Sequence, residues 1–141
     1  MPKISGILPR ISIISSVLGL YMNKKQYQNR ILYATKKIGT YNQAFNQIIN
    51  TLSDILTERD RVYEQYIDDG ARPLIEVTSD RGATNMKPNP LLKQWNELNA
   101  TALSYWRDLG LTPAGLKKIN EEGLKEKKVS ALDSILSGLE K

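Results

Sequence analysis

The chain contains neither cysteine nor histidine. The first absence excludes a disulfide framework and any thiolate metal site, and it fits a reducing compartment. The second removes the commonest general base and the commonest zinc ligand. Aromatic side chains other than tyrosine are scarce, with one phenylalanine and two tryptophans. The core must therefore be built mainly of leucine, isoleucine and tyrosine. Acid is missing from a long stretch. Residues 1–53 hold seven basic residues (Lys3, Arg10, Lys24, Lys25, Arg30, Lys36, Lys37) and no carboxylate before Asp54. The remainder holds 13 basic and 15 acidic residues, so the net charge of +5 arises entirely in the N-terminal part. That asymmetry points to a polyanionic partner.

A phosphate-binding GxxxxGK[ST] loop is also lacking, and Gly82 stands alone rather than in a dinucleotide fingerprint. Metal-assisted phosphodiester chemistry needs several converging carboxylates. The candidates are Asp68, Asp69, Glu76 and Asp80, at a helix end and in a hairpin; a solvated loop is the simpler account of them. No catalytic constellation, cofactor or metal is therefore expected.

The run "ISIISSVLGLYM" at residues 11–22 has 12 residues, short of the ~20 that span a bilayer. With Lys3 and Arg10 ahead of it, the run resembles a signal-peptide core, but no small-x-small cleavage site follows. A second account is that Met22 is the natural start. The status of residues 1–21 stays open on sequence alone, and a membrane-surface anchor over residues 4–22 is a further alternative.

The 141 residues hold one domain plus tails. Residues 22–38, "MNKKQYQNRILYATKKI", read as a short helix or a flexible arm, with tyrosines between the charges. Gly39 breaks this segment, and Thr40 with Gln43 has capping-box spacing. Apolar positions then follow at Tyr41, Phe45, Ile48, Leu52, Ile55, Val62 and Tyr66, with Arg59 filling the missing step. Ile49, Leu56 and Tyr63 widen the stripe. The 3-4 spacing predicts an amphipathic helix over about 41–68, ended by Gly70. Residues 72–90 change texture. Leu74, Ile75, Val77 and Thr78, a turn at "SDRG" and a second extended piece predict a small β-hairpin. Asn89-Pro90 opens another helix, with a seam at Leu91, Trp95, Leu98, Ala102, Tyr105 and Leu109. The two matching seams predict an antiparallel helical hairpin.

Residues 109–113, "LGLTP", read as a stop, a corner and a start. Gly110 takes the left-handed conformation, Leu111 folds back, Thr112 caps and Pro113 opens the next helix. A short helix over 113–122 is expected before Gly123, followed by a charged spacer at "KEKK". A final helix begins at Ser130, with Val129, Leu132, Ile135, Leu136 and Leu139 on one face.

Taken in order, the long helix ending in "YIDDG", the hairpin with "GATN" and "NP", and the helix closing on "LGLTP" resemble the small terminase subunits of tailed bacteriophages. The resemblance covers about residues 40–120. Its anchors are Gly82, Ala83, Thr84, Asn85, Asn89, Pro90, Leu109, Gly110, Leu111, Thr112 and Pro113. Family members often carry a basic residue two positions past the corner, where this chain has Gly115.

The resemblance implies a non-enzymatic protein without cofactors that acts in the host cell cytoplasm. It would assemble as a homo-oligomeric ring, bind double-stranded phage DNA, and recruit and regulate the large terminase subunit, which holds the packaging ATPase and nuclease. The expected fold is mainly α. An antiparallel helical hairpin carries a small β-hairpin insert and short C-terminal helices. The expected division is a basic arm over 1–39, a helical core and oligomerisation domain over 40–122, and a tail over 123–141. Lys24, Lys25, Arg30, Lys36 and Lys37 are the expected phosphate contacts, with little base preference from an arm. Leu132, Ile135, Leu136 and Leu139 are the expected docking residues for the large subunit. A dimeric DNA-binding transcriptional regulator is the alternative reading; no membrane partner is expected.

Overall fold

A computed structural model of the chain describes residues 21–139. Lys3, Arg10, most of the 11–22 run and the last two residues lie outside the described part. The elements are α1 (Lys24–Ile38), a 3-10 turn (Gln43–Phe45), α2 (Asn46–Asp68), β1 (Leu74–Thr78), β2 (Thr84–Pro88), α3 (Pro90–Asp108) and α4 (Pro113–Leu139). The protein is mainly helical with a small antiparallel sheet, as the patterning indicates.

Helix α2 is central. It packs on α1 to one side and on α3 to another, while α4 packs on α3. Contacts at both ends fix α2 and α3 as antiparallel. Tyr63 on α2 lies 5.4 Å from Trp95 near the start of α3. At the other end, Thr40, just ahead of α2, bonds to Leu109. The core gathers Tyr27 and Ile31 from α1, Ile49, Leu52 and Leu56 from α2, and Ala102 and Leu109 from the α3 side.

Two details differ from the sequence expectation. First, the most buried line of α2 runs through Ile49, Leu52, Ser53, Leu56 and Asp60. Ile48 and Ile55 are only partly buried. The line turns because α2 is covered from two sides, and the second cover is α1. Tyr27, Ile31 and Thr35 of α1 are buried, so residues 24–38 share the core of the expected 40–122 unit instead of standing off as an arm. Second, Trp95 and Leu98 are half-buried, whereas Ala102 and Leu109 are the buried positions of the α3 seam.

Thr40 does not cap α2. Asn42 instead caps the 3-10 turn, its side chain accepting from the Ala44 amide at 2.9 Å, and α2 follows from Phe45 without a side-chain cap of its own. At the far end of the molecule, residues 113–139 form one helix, not two short ones. A lone glycine inside a helix costs about 1 kcal/mol, and the run around Gly123 is rich in Glu, Lys and Leu, so no break is forced there.

The strands pair in the register Leu74↔Pro88, Ile75↔Lys87, Glu76↔Met86, Val77↔Asn85 and Thr78↔Thr84. Asn89 fixes the root of this hairpin. Its amide nitrogen donates to the Pro73 carbonyl at 2.8 Å, its side chain donates to the Arg72 carbonyl at 2.9 Å, and its side-chain oxygen caps α3 at Leu91. Beyond that root no helix among the described residues packs substantially on the sheet. Leu74 and Met86 are exposed.

Candidate nucleic-acid interface

The basic segment is a rigid helix. Its N-terminus carries a capping box: the Asn23 side chain accepts from the Gln26 amide and the Gln26 side chain accepts from the Asn23 amide, both at 2.9 Å. Lys36 and Lys37 stand in its last turn, where the helix dipole favours cations. Gly39 closes it, donating to the Lys36 carbonyl at 3.2 Å.

The inner face is held by polar links as well as by Ile31. The Tyr27 hydroxyl donates to the Asp60 carboxylate. Arg59 donates to the same carboxylate at 2.8 and 3.0 Å, and to the Tyr27 oxygen at 3.2 Å. Burial, followed by the bond to Asp60 and its negative charge, pushes the Tyr27 hydroxyl up to about 12. Gln28 donates to Asn50 at 2.7 Å, and the Lys24 ammonium pairs with Asp54 at 2.7 Å.

The five expected phosphate contacts therefore divide. Lys24 leans toward α2 and is neutralised by Asp54. Lys25, Arg30, Lys36 and Lys37 share the outer face with Gln26, Asn29 and Tyr33, all exposed. Lys36 lies over the Tyr41 ring at 5.0 Å and Lys37 over Tyr33 at 5.7 Å, contacts that leave the ammonium groups accessible. An open groove lined by Lys25, Gln28, Asn29, Lys36, Tyr41 and Asn46 runs beside this face. No acid from α1 itself interrupts it.

The corner at residues 109–113 is structural. Gly110 has φ +73; its amide donates to the Arg107 carbonyl at 3.0 Å, and Leu111 donates to the Trp106 carbonyl at 2.8 Å, which is a Schellman termination. The Thr112 hydroxyl accepts from the Gly115 amide at 3.1 Å, capping α4. A Cβ on Gly110 would fall 2.9 Å from both the Thr40 methyl and Ile119. Gly115 is tighter still, because a Cβ there would overlap the Arg107 carbonyl, with the Arg107 Cα at 3.0 Å. Gly115 thus belongs to the packing of α4 on the end of α3. Gly82, with φ +80, serves the hairpin turn.

Asp68, Asp69, Glu76 and Asp80 form no group suited to a metal ion among the described residues. Sequence reasoning missed Asp60 and Arg59 as the anchor of α1, and Thr40 as a partner of Leu109. Arg59 had a faint signal as the charged residue at the missing step of the apolar stripe, and Asp60 is its neighbour in sequence.

The sequence model of one family, described as phage terminase, small subunit, matches residues 24–126. The chain belongs to the phage terminase small-subunit family. The match begins at the first residue of α1, so the basic helix is inside the terminase region. Membership supports a role in phage DNA packaging, in a family whose members are generally non-catalytic subunits. No curated protein and no solved structure matches the chain. No helix among the described residues of this terminase subunit is long and apolar enough to cross a membrane.

Proposed function

We propose that this protein is the DNA-recognition and assembly subunit of a phage packaging motor, acting in the host cytoplasm without catalysing a reaction itself. It binds double-stranded phage DNA through the outer face of α1. It associates with further copies as a ring, and it recruits and regulates the large terminase subunit through the distal part of α4. The observation that carries this reading is the outer face of α1, with four cations and no acid on a helix fixed at both ends. Phosphate neutralisation supplies most of the affinity in such a surface.

Ring formation is supported by surface that one protomer leaves uncovered. Two strands are marginal alone, yet among the described residues no helix packs substantially across this hairpin, and Leu74, Met86 and Leu103 are exposed. Docking of the large subunit is supported by the direction of the α4 stripe. At 100° per residue, the body-facing positions Gly115, Leu116 and Ile119 lie about 140° from the centre of Val129, Leu132, Ile135, Leu136 and Leu139. A straight helix cannot present both sets to its own body, and all five distal residues are exposed.

Light scattering on the purified chain, with and without a 40-base-pair duplex, tests the proposal. A mass of many protomers that also binds duplex is expected. A dimer that binds duplex would favour the transcriptional regulator instead.

A further inference from the structure

A surface that only neutralises phosphate needs lysine and arginine, and α1 carries more than that. Asn29 and Tyr33 form one row along the helix, and Gln26 and Arg30 form the next, since positions four apart lie one above the other. The lysines bracket these rows, Lys25 at one end and Lys36 and Lys37 at the other. Tyr33 is 66% exposed, a large aromatic left in water in the middle of a charged face. The Asn29 amide makes no hydrogen bond among the described residues. Gln26 is partly engaged in the capping box, and Arg30 makes only a 3.5 Å contact to the Met22 sulfur.

Resting on the DNA-binding reading above, we propose that α1 is a base-reading helix. Asn29 and Arg30 face the edges of the bases in the major groove, and Lys25, Lys36 and Lys37 set the register on the phosphates. The side-chain chemistry names the targets. An asparagine amide pairs with the N6 and N7 edge of adenine, and an arginine fork pairs with O6 and N7 of guanine. The Tyr33 ring supplies an apolar contact of the kind that thymine methyl groups accept. Position supports this. Among the described helices, α1 packs substantially on α2 alone, and Lys25, Asn29, Arg30 and Tyr33 are exposed, as entry into a groove about 12 Å wide requires. Rigidity supports it too. The capping box, the Gly39 closure and the Tyr27–Asp60–Arg59 link hold the backbone still, whereas a flexible arm brings phosphate contacts without base information.

The test is selection from a randomised 40-base-pair duplex library, followed by affinity measurements on the enriched sequence and on bulk duplex. The parent should enrich a motif containing adenine and guanine. Asn29→Ala and Arg30→Lys, which retains charge but loses the fork, should each reduce preference for that motif roughly 10-fold or more. Their affinity for bulk duplex should fall much less than their affinity for the motif. Lys25→Ala with Lys36→Ala should weaken both duplexes alike. All four positions are exposed, so unchanged melting confirms the fold. Duplex binding without any enriched motif overturns base reading and leaves DNA binding intact. A motif indifferent to Asn29→Ala and Arg30→Lys overturns the assignment to α1. Failure to bind any duplex at low salt sinks the DNA-binding reading itself.

Discussion

The Thr40 hydroxyl donates to the Leu109 carbonyl oxygen at 2.8 Å, across 69 positions of sequence. This bond joins the loop after α1 to the end of α3. It satisfies a carbonyl that the helix terminus leaves without an intrahelical partner, and Leu109 itself is buried. The Thr40 methyl simultaneously lies where a side chain on Gly110 would go. One threonine thus ties three helices together at the corner.

That geometry ranks the substitutions. Gly115→Ala should be the most damaging, because its Cβ would meet backbone that has no rotamer to change. A loss of roughly 1–3 kcal/mol or more is expected from forced displacement. Gly110→Ala combines a left-handed backbone, costing about 1–2 kcal/mol, with the overlap on Thr40 and Ile119. Thr40→Val keeps the shape and loses the donor, for about 1–3 kcal/mol if the Leu109 carbonyl is left unpaired; Thr40→Ser should recover much of it. Thermal melts of the four variants check the order.

The Tyr27–Asp60 bond makes a prediction in pH. Tyr27→Phe should lower stability by roughly 1.5–3 kcal/mol at neutral pH, since the lost bond involves a carboxylate. The Tyr27 hydroxyl titrates higher in the folded state, near 12 against an ordinary 10.0. Its contribution is therefore present below pH 10 and is lost as pH rises through the folded value. The gap between parent and Tyr27→Phe in urea titrations should narrow between those two values. A constant gap would show that the hydroxyl proton plays no part.

Glu64 carries the opposite sign of benefit. Burial first, then the charges of Asp60 and Asp68, raise its carboxyl above the usual range. The ionised form is disfavoured in the fold, so Glu64→Gln should raise the melting temperature at pH 7. The gain should disappear as the pH falls through the carboxylate range, where the parent becomes protonated as well.

Lys24 separates the structural reading of the basic segment from the compositional one. With Lys24 committed to Asp54, four cations remain on the outer face. The slope of log K against log salt should then be about −2.7 per engaged protomer when Lys25, Lys36 and Lys37 meet phosphates and Arg30 a base, and about −3.6 when all four meet phosphates, steeper when several protomers of a ring bind together. Lys24→Ala should barely change duplex affinity, and charge reversal at Lys36 and Lys37 should weaken it strongly at low salt. An equal loss from Lys24→Ala would restore a five-residue contact surface.

The helices, the hairpin and the corner were legible in sequence because each depends on local signals: the 3-4 spacing from Ile48 to Tyr66, the Asn89-Pro90 start, the Gly110 stop. What sequence reading missed depends on neighbours far along the chain. Residues 22–38 read as either a short helix or a flexible arm, because lysines dominate their count and hide the apolar face. Tyr27, Ile31 and Thr35 nevertheless share one face, and their partners Leu56 and Asp60 lie a full helix away. Thr40 has a plausible capping pattern, but its hydroxyl finds Leu109, which no local rule connects to it. The candidate site was legible as composition, while its division into a pinned lysine and four outward cations needed Asp54 in space.

The distal half of α4 gives the prediction that tests recruitment. A chain ending at Lys128 removes Val129, Leu132, Ile135, Leu136 and Leu139, each of which is more than half exposed. Removing exposed residues takes little from the core, so the melting temperature should hold. The remaining helix, Pro113 to Lys128, keeps its Thr112 cap and its packing through Leu116 and Ile119. Ring mass and duplex affinity should also persist, while stimulation of the large subunit's ATPase should be lost. The helix-in-groove mode uses apolar anchors on one face in this way, and Leu132→Asp with Leu136→Asp in the full chain should reproduce the loss without shortening the helix. If the shortened chain stays folded but loses the ring, the stripe pairs copies of this protein with each other. If it keeps both the ring and the ATPase stimulation, the large subunit docks elsewhere.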